Sequence, residues 1–434
     1  MTPVGRGYSR NTVAIFTPLA GLTQPQRRAF LAAFLGWTLD AFDFFLVTFV
    51  VSRIAADFAM TIPGVLAAVT ITLMCRPLGA LIFGMLADRY GRRGPLMISI
   101  LLYSLFELLT AFSPNFAVFL ILRALYGVAM GGEWGVGAAL ALETLPAQAR
   151  GIASGIIQQG YAVGYLLAAL VFGQFVELIG WRGMFIVGVL PALLVFFVRY
   201  GVKESPTWVA GRARKLGSRD NLFRSIAKQP WLYVYAILLM AAFNFMSHGS
   251  QDLYPTFLQK QRGFDPHLTQ NIIVVMNVGA IIGGTLLGAF SQRIGRRITI
   301  MACCVLGALT IPFWTGAATP VMLAAGAFAM QFFVQGAWGV VPAHLNELSP
   351  GDVRGTFPGF TYQLGNLITA YAAQWEASYA TKNLPLPPPA TANYGHAMQI
   401  IMLAVFVAVF ILTAIGRERR GVSFTEVEPA ARSA

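Results

Sequence analysis

Twelve times along this chain a run of about 20 apolar residues recurs, each long enough to cross roughly 30 Å of hydrocarbon as a helix. The runs centre on 29–51, 62–86, 95–113, 115–140, 152–177, 182–200, 231–258, 269–291, 298–318, 320–344, 355–378 and 396–416. A bilayer offers no water to a backbone N–H or C=O, so each spanning segment must bond within itself, and runs of this length do so as helices. Composition agrees, since 56% of the 434 residues are hydrophobic and only 11% are charged, with a mean hydropathy of +0.64. Soluble domains do not reach these values. The expected fold class is an all-α membrane protein with twelve transmembrane helices.

The formal net charge of +13 could suggest nucleic acid, but its placement argues otherwise. With both termini in the cytoplasm, 24 of the 31 Lys and Arg fall in the termini and inner loops, 5 outside and 2 within helices. That asymmetry follows the positive-inside rule, so the partner expected is a lipid bilayer and not a nucleic acid. Met1 to Arg28 has no apolar core ahead of the first span, and no cleavable signal sequence is expected. Cys75, Cys303 and Cys304 lie in or beside predicted helices without ligand spacing, so neither a disulfide framework, a metal site nor any cofactor is expected.

A shift of 204 residues brings the two halves of the chain into register. Gly84-Met-Leu-Ala-Asp88-Arg89-Tyr-Gly91-Arg92-Arg93 falls on Gly288-Ala-Phe-Ser-Gln292-Arg293-Ile-Gly295-Arg296-Arg297. The same shift lays Trp134 on Trp338, Glu143 on Glu347, Pro146 on Pro350, Arg150-Gly151 on Arg354-Gly355 and Gln159 on Gln363. The chain therefore reads as a cytoplasmic N-terminal segment (1–28), a six-helix half (29–200), a basic cytoplasmic linker (201–230), a second six-helix half (231–416) and a cytoplasmic tail (417–434). Lys203, Arg212, Arg214, Lys215, Arg219, Arg224 and Lys228 make the linker basic.

The Gly-x-x-x-Asp-Arg-x-Gly-Arg-Arg loop and its echo strongly resemble the signature of the major facilitator superfamily, and the resemblance spans residues 29–416. It implies two pseudo-symmetric halves facing each other across a central cavity and rocking to give alternating access. Gly84, Asp88, Arg89, Gly91, Arg92 and Arg93 are the expected conformational latch. Glycines let helix ends approach, while Asp88 can pair with arginines and accept bonds from a neighbouring helix end. Gln292 in place of Asp88 implies a weaker second latch. Lys203-Glu204-Ser205-Pro206-Thr-Trp208 is similar to the segment that follows helix 6 in sugar-porter relatives.

Charged residues inside the spans need a reason. Asp40 and Asp43, in Gly36-Trp-Thr-Leu-Asp40-Ala-Phe-Asp43-Phe-Phe, are neighbours on one face of helix 1. Each costs about 2.5–3.5 kcal/mol at the membrane midplane unless it meets water or a partner. The stretch is similar to the helix-1 motif of metabolite:proton symporters, which implies Asp43 as a proton carrier. Arg123, in Arg123-Ala-Leu-Tyr-Gly127-Val-Ala-Met-Gly131-Gly, matches the helix-4 motif of such symporters and is the expected partner of Asp43. The alternative is a structural tether to Glu133 or to backbone carbonyls. Arg76, in Cys75-Arg76-Pro77-Leu-Gly79, is expected to anchor an anionic substrate, because a guanidinium binds a carboxylate through two bonds. Its alternative is an ion pair with Asp40 or Glu107. Glu133 reads equally as a second proton site or a packed polar group.

Helix 7 carries Asn244, His248 and Asp252 at spacings of four, with Ser247 and Gln251 alongside and Pro255 beyond. This stripe can donate, accept and titrate. The pattern Asn-x-x-Ser-His-x-Ser-Gln-Asp-x-x-x-Thr, seven side chains over thirteen positions, resembles in full the helix-7 signature of lactate/pyruvate:proton symporters. That branch is related to the yeast lactate permeases and grouped with the sialate:proton symporters. The resemblance implies substrate recognition and proton coupling at Asn244, His248 and Asp252, with Gln251 beside them. Gln363 and Asn366, in Tyr362-Gln363-Leu-Gly-Asn366, are similar to that family's Gln and Asn pair and are expected to donate to substrate. Gln159, the repeat mate of Gln363, is expected to face the cavity from helix 5. No role is expected for His267, His344 or His396.

The expected function is proton-coupled symport of a short monocarboxylate such as lactate or pyruvate, by a monomer in a cell membrane, expected to be a bacterial inner membrane. Proton coupling is assigned to Asp43, Asp40, Arg123, Glu133 and Asp252. Substrate binding falls to Arg76, Asn244, His248, Gln251, Gln159, Gln363 and Asn366. The shift lays Asn244 on Asp40 and Ser247 on Asp43, but Ala280, Ala327 and Ala337 on Arg76, Arg123 and Glu133. Proton coupling is thus expected chiefly in the first half and recognition chiefly in the second. Sialic acid or another organic anion is the alternative substrate. An antiporter is disfavoured because helix 5 reads Gly160-Tyr-Ala-Val-Gly164-Tyr165 without a Gly-Pro pair. A non-transporting nutrient sensor is a third reading, and an enzyme is not expected, since no nucleophile–base or metal-ligand set stands out.

Overall fold

The computed structural model describes residues 16–214, 222–382 and 393–424. Lys215 and Arg219 of the expected linker lie outside these, as do residues 1–15 and 425–434 of the terminal segments. We number the membrane helices α1 (Gln24–Asp57), α2 (Ile62–Tyr90), α3 (Arg93–Ala111), α4 (Phe116–Thr144), α5 (150–179), α6 (181–201), α7 (Pro230–Gln261), α8 (Pro266–Ile294), α9 (Arg296–Gly316), α10 (Pro320–Leu348), α11 (357–382) and α12 (Tyr394–Ile415). Among the described residues, ten uninterrupted stretches are long and apolar enough to cross a membrane. One of them, Ala147–Gly201, folds back on itself at Gly180 (φ 64°) and supplies both α5 and α6. The twelfth span, α11, is broken after Ile368, where the Thr369 hydroxyl bonds back to the carbonyls of Gly365 and Asn366.

Helix starts follow from the caps. Thr61, Asn115, Asp265, Thr319 and Asn393 each accept a backbone N–H from the first turn of the helix that follows, satisfying donors that have no partner inside the helix. All five open helices that run from the same face of the bundle. At Asp265 the N–H groups of Leu268 and His267 hold the carboxyl below the usual carboxylate range. The opposite face, where α2–α3, α4–α5, α8–α9 and α10–α11 turn, carries the arginine-rich loops, and we call it the basic face. Large apolar side chains on the outside of the bundle, such as Leu170, Leu193, Leu309 and Val321, are exposed as a lipid-facing belt requires.

The halves close on each other at the basic face. There α5 packs along α8, and α2 and α4 along α11, close enough that a Cβ on Gly288 would sit 2.7 Å from Gly155 Cα and one on Gly135 of α4 would sit 2.6 Å from Gly359 Cα. The Ser154 hydroxyl donates to Gly339 O (2.7 Å) and accepts from Ala343 N (3.0 Å), tying α5 to α10. Trp134 and Trp338, repeat mates, both meet Tyr362, with ring centroids 4.7 and 5.8 Å away. Trp338, Tyr362 and Trp37 floor a central cavity, with Trp134 packed against Trp37 and Tyr362 outside the lining. Gly288→Leu is expected to destabilise the fold by about 1–3 kcal/mol through overpacking, read as a lower melting temperature of the purified protein. Gly173→Leu, at a position whose Cβ would meet nothing within 4 Å, is the control that should change little.

Candidate functional site

The cavity above the aromatic floor is lined by both halves. The first half supplies Trp37, Phe44, Leu73, Arg76, Gln158 and Tyr161, the second Asn244, Ser247, His248, Gln251, Gln335, Trp338, Tyr362 and Asn366. One side therefore presents a single cation and the other a set of neutral hydrogen-bonding groups with an imidazole. His248 Nδ1 lies 3.0 Å from Asp252 Oδ2, and their side chains are 29% and 33% exposed, which places the mouth of the cavity toward the face opposite the basic one. Asn244 is held by donating to Met240 O at 2.9 Å. Ser247 Oγ accepts from Gln251 and Gln335, both at 3.3 Å, and Gln331 donates to Ser250 at 2.8 Å. Past this stripe the helix deforms as Pro255 requires, with a wide turn over Phe257–Gln261.

Arg76 has donors to spare. Its Nη2 is 3.6 Å from Asp40 Oδ2 and 2.6 Å from Met130 Sδ, and its guanidinium lies over the Phe44 ring at 5.1 Å. Its Nε is buried with no hydrogen-bond partner. Behind it, Asp40 Oδ1 and Glu133 Oε2 are also buried and unpartnered. Glu133 packs against Gly36 of α1, where a Cβ would collide with the carboxylate.

Three expectations about partners and orientation need correcting. Arg123 does not pair with Asp43. Its Nη2 donates to Glu107 at 2.5 Å and to Thr110 Oγ1 at 3.0 Å, and its guanidinium stacks over Tyr126 at 4.2 Å. Asp43 is fully buried and neither of its oxygens has a hydrogen-bond partner. Gln159 does not face the cavity but packs at the α5–α8 crossing, where a Cβ on Gly284 would strike its amide. Its neighbour Gln158 lines the cavity instead, because adjacent residues on a helix point about 100° apart. Gln363 is buried outside the lining with its Oε1 unpartnered, while Tyr362 and Asn366 of the same helix face inward.

The residues expected to form the latch meet partners at the basic face, with one exception. Asp88 at the end of α2 accepts from Gly355 N (2.7 Å), Thr356 N (3.1 Å) and Thr356 Oγ1 (2.6 Å) at the start of α11, across the two halves. A Cβ on Gly84 would sit 2.6 Å from Thr356 Cα. Arg92 bridges Asp88 (3.2 Å) and Glu143 (3.0 Å). Its mate Arg296 holds Glu347 at 2.9 Å. Gly91 turns at φ 102°, which lets Glu204 cap α3 through Arg92 N (2.9 Å) and Arg93 N (3.1 Å). The Arg93 side chain binds the carbonyls of Val198 and Arg199 at the end of α6. Arg89 is the exception, exposed and stacked on Tyr90. In the second copy Gln292 is held within its own half by Arg296 Nη2 at 2.6 Å.

Gln331, Gln335 and Glu376 were not singled out from sequence, and Glu107 was named there only as an alternative partner for Arg76. The rule that picked out Asp40, a polar group inside an apolar run, applies to each of them.

A profile described as Major Facilitator Superfamily matches residues 33–373 and 252–428. The chain is 30% identical to a protein of Saccharomyces cerevisiae named carboxylic acid transporter protein homolog, over 95% of this chain and 71% of that one. It is 27% identical to the sialic acid transporter NanX of Escherichia coli, over 90% of this chain and 94% of NanX. Among solved structures it is similar to the proton:xylose symporter XylE bound to 6-bromo-6-deoxy-D-glucose, with a TM-score of 0.70 at 18% identity, covering 93% of this chain and 98% of XylE.

Asp88→Ala removes three bonds across the basic face, so a cysteine at Ser154, in a background lacking Cys75, Cys303 and Cys304, should react with a membrane-impermeant maleimide faster by on the order of tenfold or more. An unchanged rate would mean that the latch does not hold this face shut.

Proposed function

The chain belongs to the Major Facilitator Superfamily, and on that premise we propose that it is a secondary transporter carrying a short monocarboxylate such as lactate or pyruvate together with a proton. The observation that carries this reading is Arg76, a buried guanidinium lining the cavity with an unpartnered Nε and only a 3.6 Å contact to Asp40. A planar fork with free donors is complementary to a carboxylate. The Asn244, His248, Gln251 and Asn366 side chains across the cavity supply the donors and acceptors that the hydroxyl or keto oxygen beside that carboxylate needs.

The same contact supplies a route to coupling. A substrate carboxylate that takes Arg76 removes the cation beside Asp40, and a carboxylate left alone in low dielectric binds a proton. Anion and proton then move as a neutral set, so no uncompensated charge crosses the bilayer. Glu133 and the His248–Asp252 pair are further proton sites in this reading. With the basic face in the cytoplasm, the conformation is closed inward by the Asp88 latch and open outward at His248, ready to load. Rocking about the glycine-packed α5–α8 and α2–α11 contacts exposes the cavity to the other side.

The yeast relative's name supports a carboxylic acid as substrate and that of NanX supports sialic acid, so size must discriminate. The cavity volume of about 60 Å³ belongs to one conformation of the proposed cycle, so uptake of acids of different size decides between the two.

Labelled lactate, pyruvate, acetate and sialic acid offered to proteoliposomes under an inward proton gradient test the reading. Lactate and pyruvate should accumulate and compete with each other, and sialic acid should do neither. If lactate and pyruvate neither enter nor compete, the substrate assignment fails. Arg76→Lys, which keeps the charge and loses the fork, should raise KM about tenfold, a change of about 1.4 kcal/mol. His248→Ala should raise KM with expression unchanged, whereas an unaltered KM would make His248 structural.

A further inference from the structure

The coupling step above uses Asp40 and Arg76, and it leaves a second buried set of ionisable groups without a task. Asp43 is 0% exposed with both oxygens unpartnered. Glu107 is 0% exposed and gives Oε2 to Arg123 at 2.5 Å while its Oε1 has no partner. The two carboxylates converge on Gly188 of α6, where a Cβ would sit 2.6 Å from Glu107 Cγ and 3.2 Å from Asp43 Oδ1. Arg123 is committed to Glu107 and Thr110. Two carboxylates therefore stand beside one guanidinium, and in a hydrocarbon-like interior the second cannot remain charged without a partner.

We propose that Glu107, by occupying Arg123, keeps Asp43 protonated in the conformation closed at the basic face, and that Glu107 is the positioning residue for proton uptake and release at Asp43. The balance is simple. Asp43 holds a proton as the neutral acid while Arg123 and Glu107 form a neutral ion pair. When water reaches the set, Asp43 gives the proton to water and becomes a carboxylate beside Arg123, and it must regain a proton before the set is sealed again. The other groups around Asp43 are Asp40 on its own helix, Tyr103 from α3 and Tyr126 from α4. The Tyr103 and Tyr126 hydroxyls are buried without partners. Neither brings a positive charge, so Arg123 is the cation that decides which carboxylate is ionised.

The role in transport rests on the proton-coupled reading, but the protonation state can be read without any substrate. Infrared difference spectra of the full chain in detergent, taken across a pH step, should show the carbonyl stretch of a carboxylic acid in apolar surroundings, and Asp43→Asn should remove that component. Glu107→Gln frees Arg123 for Asp43 and should also abolish it, while Glu107→Asp should retain it. Thr110→Val, which loosens Arg123 without removing a charge, should weaken it and covers the case in which Glu107→Gln fails to fold. In proteoliposomes, Glu107→Gln should flatten the pH profile of lactate counterflow without abolishing counterflow. A carboxylic acid band that Asp43→Asn does not reduce, or that is unchanged in both Glu107→Gln and Thr110→Val, overturns the proposal; the part that remains in Asp43→Asn belongs to the Asp40 and Glu133 set beside Arg76. A chain that shows these spectral changes but carries no lactate would contradict the substrate assignment and leave this inference standing.

Discussion

Away from the basic face of the first half, Asp40, Asp43, Glu107 and Glu133 lie buried with two buried guanidiniums, Arg76 and Arg123. The rest of the site depends on that imbalance. Water would dissolve it at little cost, but the interior of a helix bundle does not, because the attraction and the desolvation penalty of a charge are both several-fold larger there. Each arginine is flanked by two carboxylates, Arg76 by Asp40 and Glu133 and Arg123 by Glu107 and Asp43, with one oxygen of three of these groups and both of Asp43 left unpartnered. A neutral interior thus requires about one proton per arginine. In the proposed function, anything that competes for an arginine, an anionic substrate at Arg76 above all, changes how many protons the bundle holds.

This imbalance is built on a frame that is close to symmetric. The Arg92–Glu143 and Arg296–Glu347 pairs are repeat mates, as are Trp134 and Trp338 on either side of Tyr362. Glu204 after α6 and Glu418 after α12 play matching parts, accepting from the first N–H groups of α3 and α9. The functional groups break the symmetry. Alanines occupy the second-half positions of Arg76, Arg123 and Glu133, and Asp88 spans the halves where Gln292 does not. In the proposed cycle the frame rocks, and the unpaired features give the two ends of the motion different chemistry.

Much of this was legible in the sequence because it is written along the chain. Spans, repeat and latch motif are matters of hydropathy, period and spacing, and Asn244 and His248 of the helix-7 stripe both line the cavity because a spacing of four keeps one face. What was misread depends on how helices are rotated and which ones are neighbours. Gln159 and Gln363 each stand one position away from a residue that lines the cavity, and no spacing rule in a helix apolar on most sides fixes its rotation to within 100°. Arg123 met Glu107 rather than Asp43 because α3 and α4 are joined by a short turn and lie side by side, a contact that motif matching between helices 1 and 4 overlooks. Gln331 and Gln335 of α10 entered the site through Ser250 and Ser247, so their partners in α7 were visible from sequence while they were not.

The central claim is that the anion and the proton cross as one neutral set. Its most direct test is to follow the external pH of proteoliposomes as lactate is added, with the membrane voltage clamped by a potassium ionophore. The account predicts alkalinisation outside that tracks lactate entry one for one and does not change when the clamped voltage is varied. Lactate entry without a pH change, or a rate that follows the voltage, would contradict it.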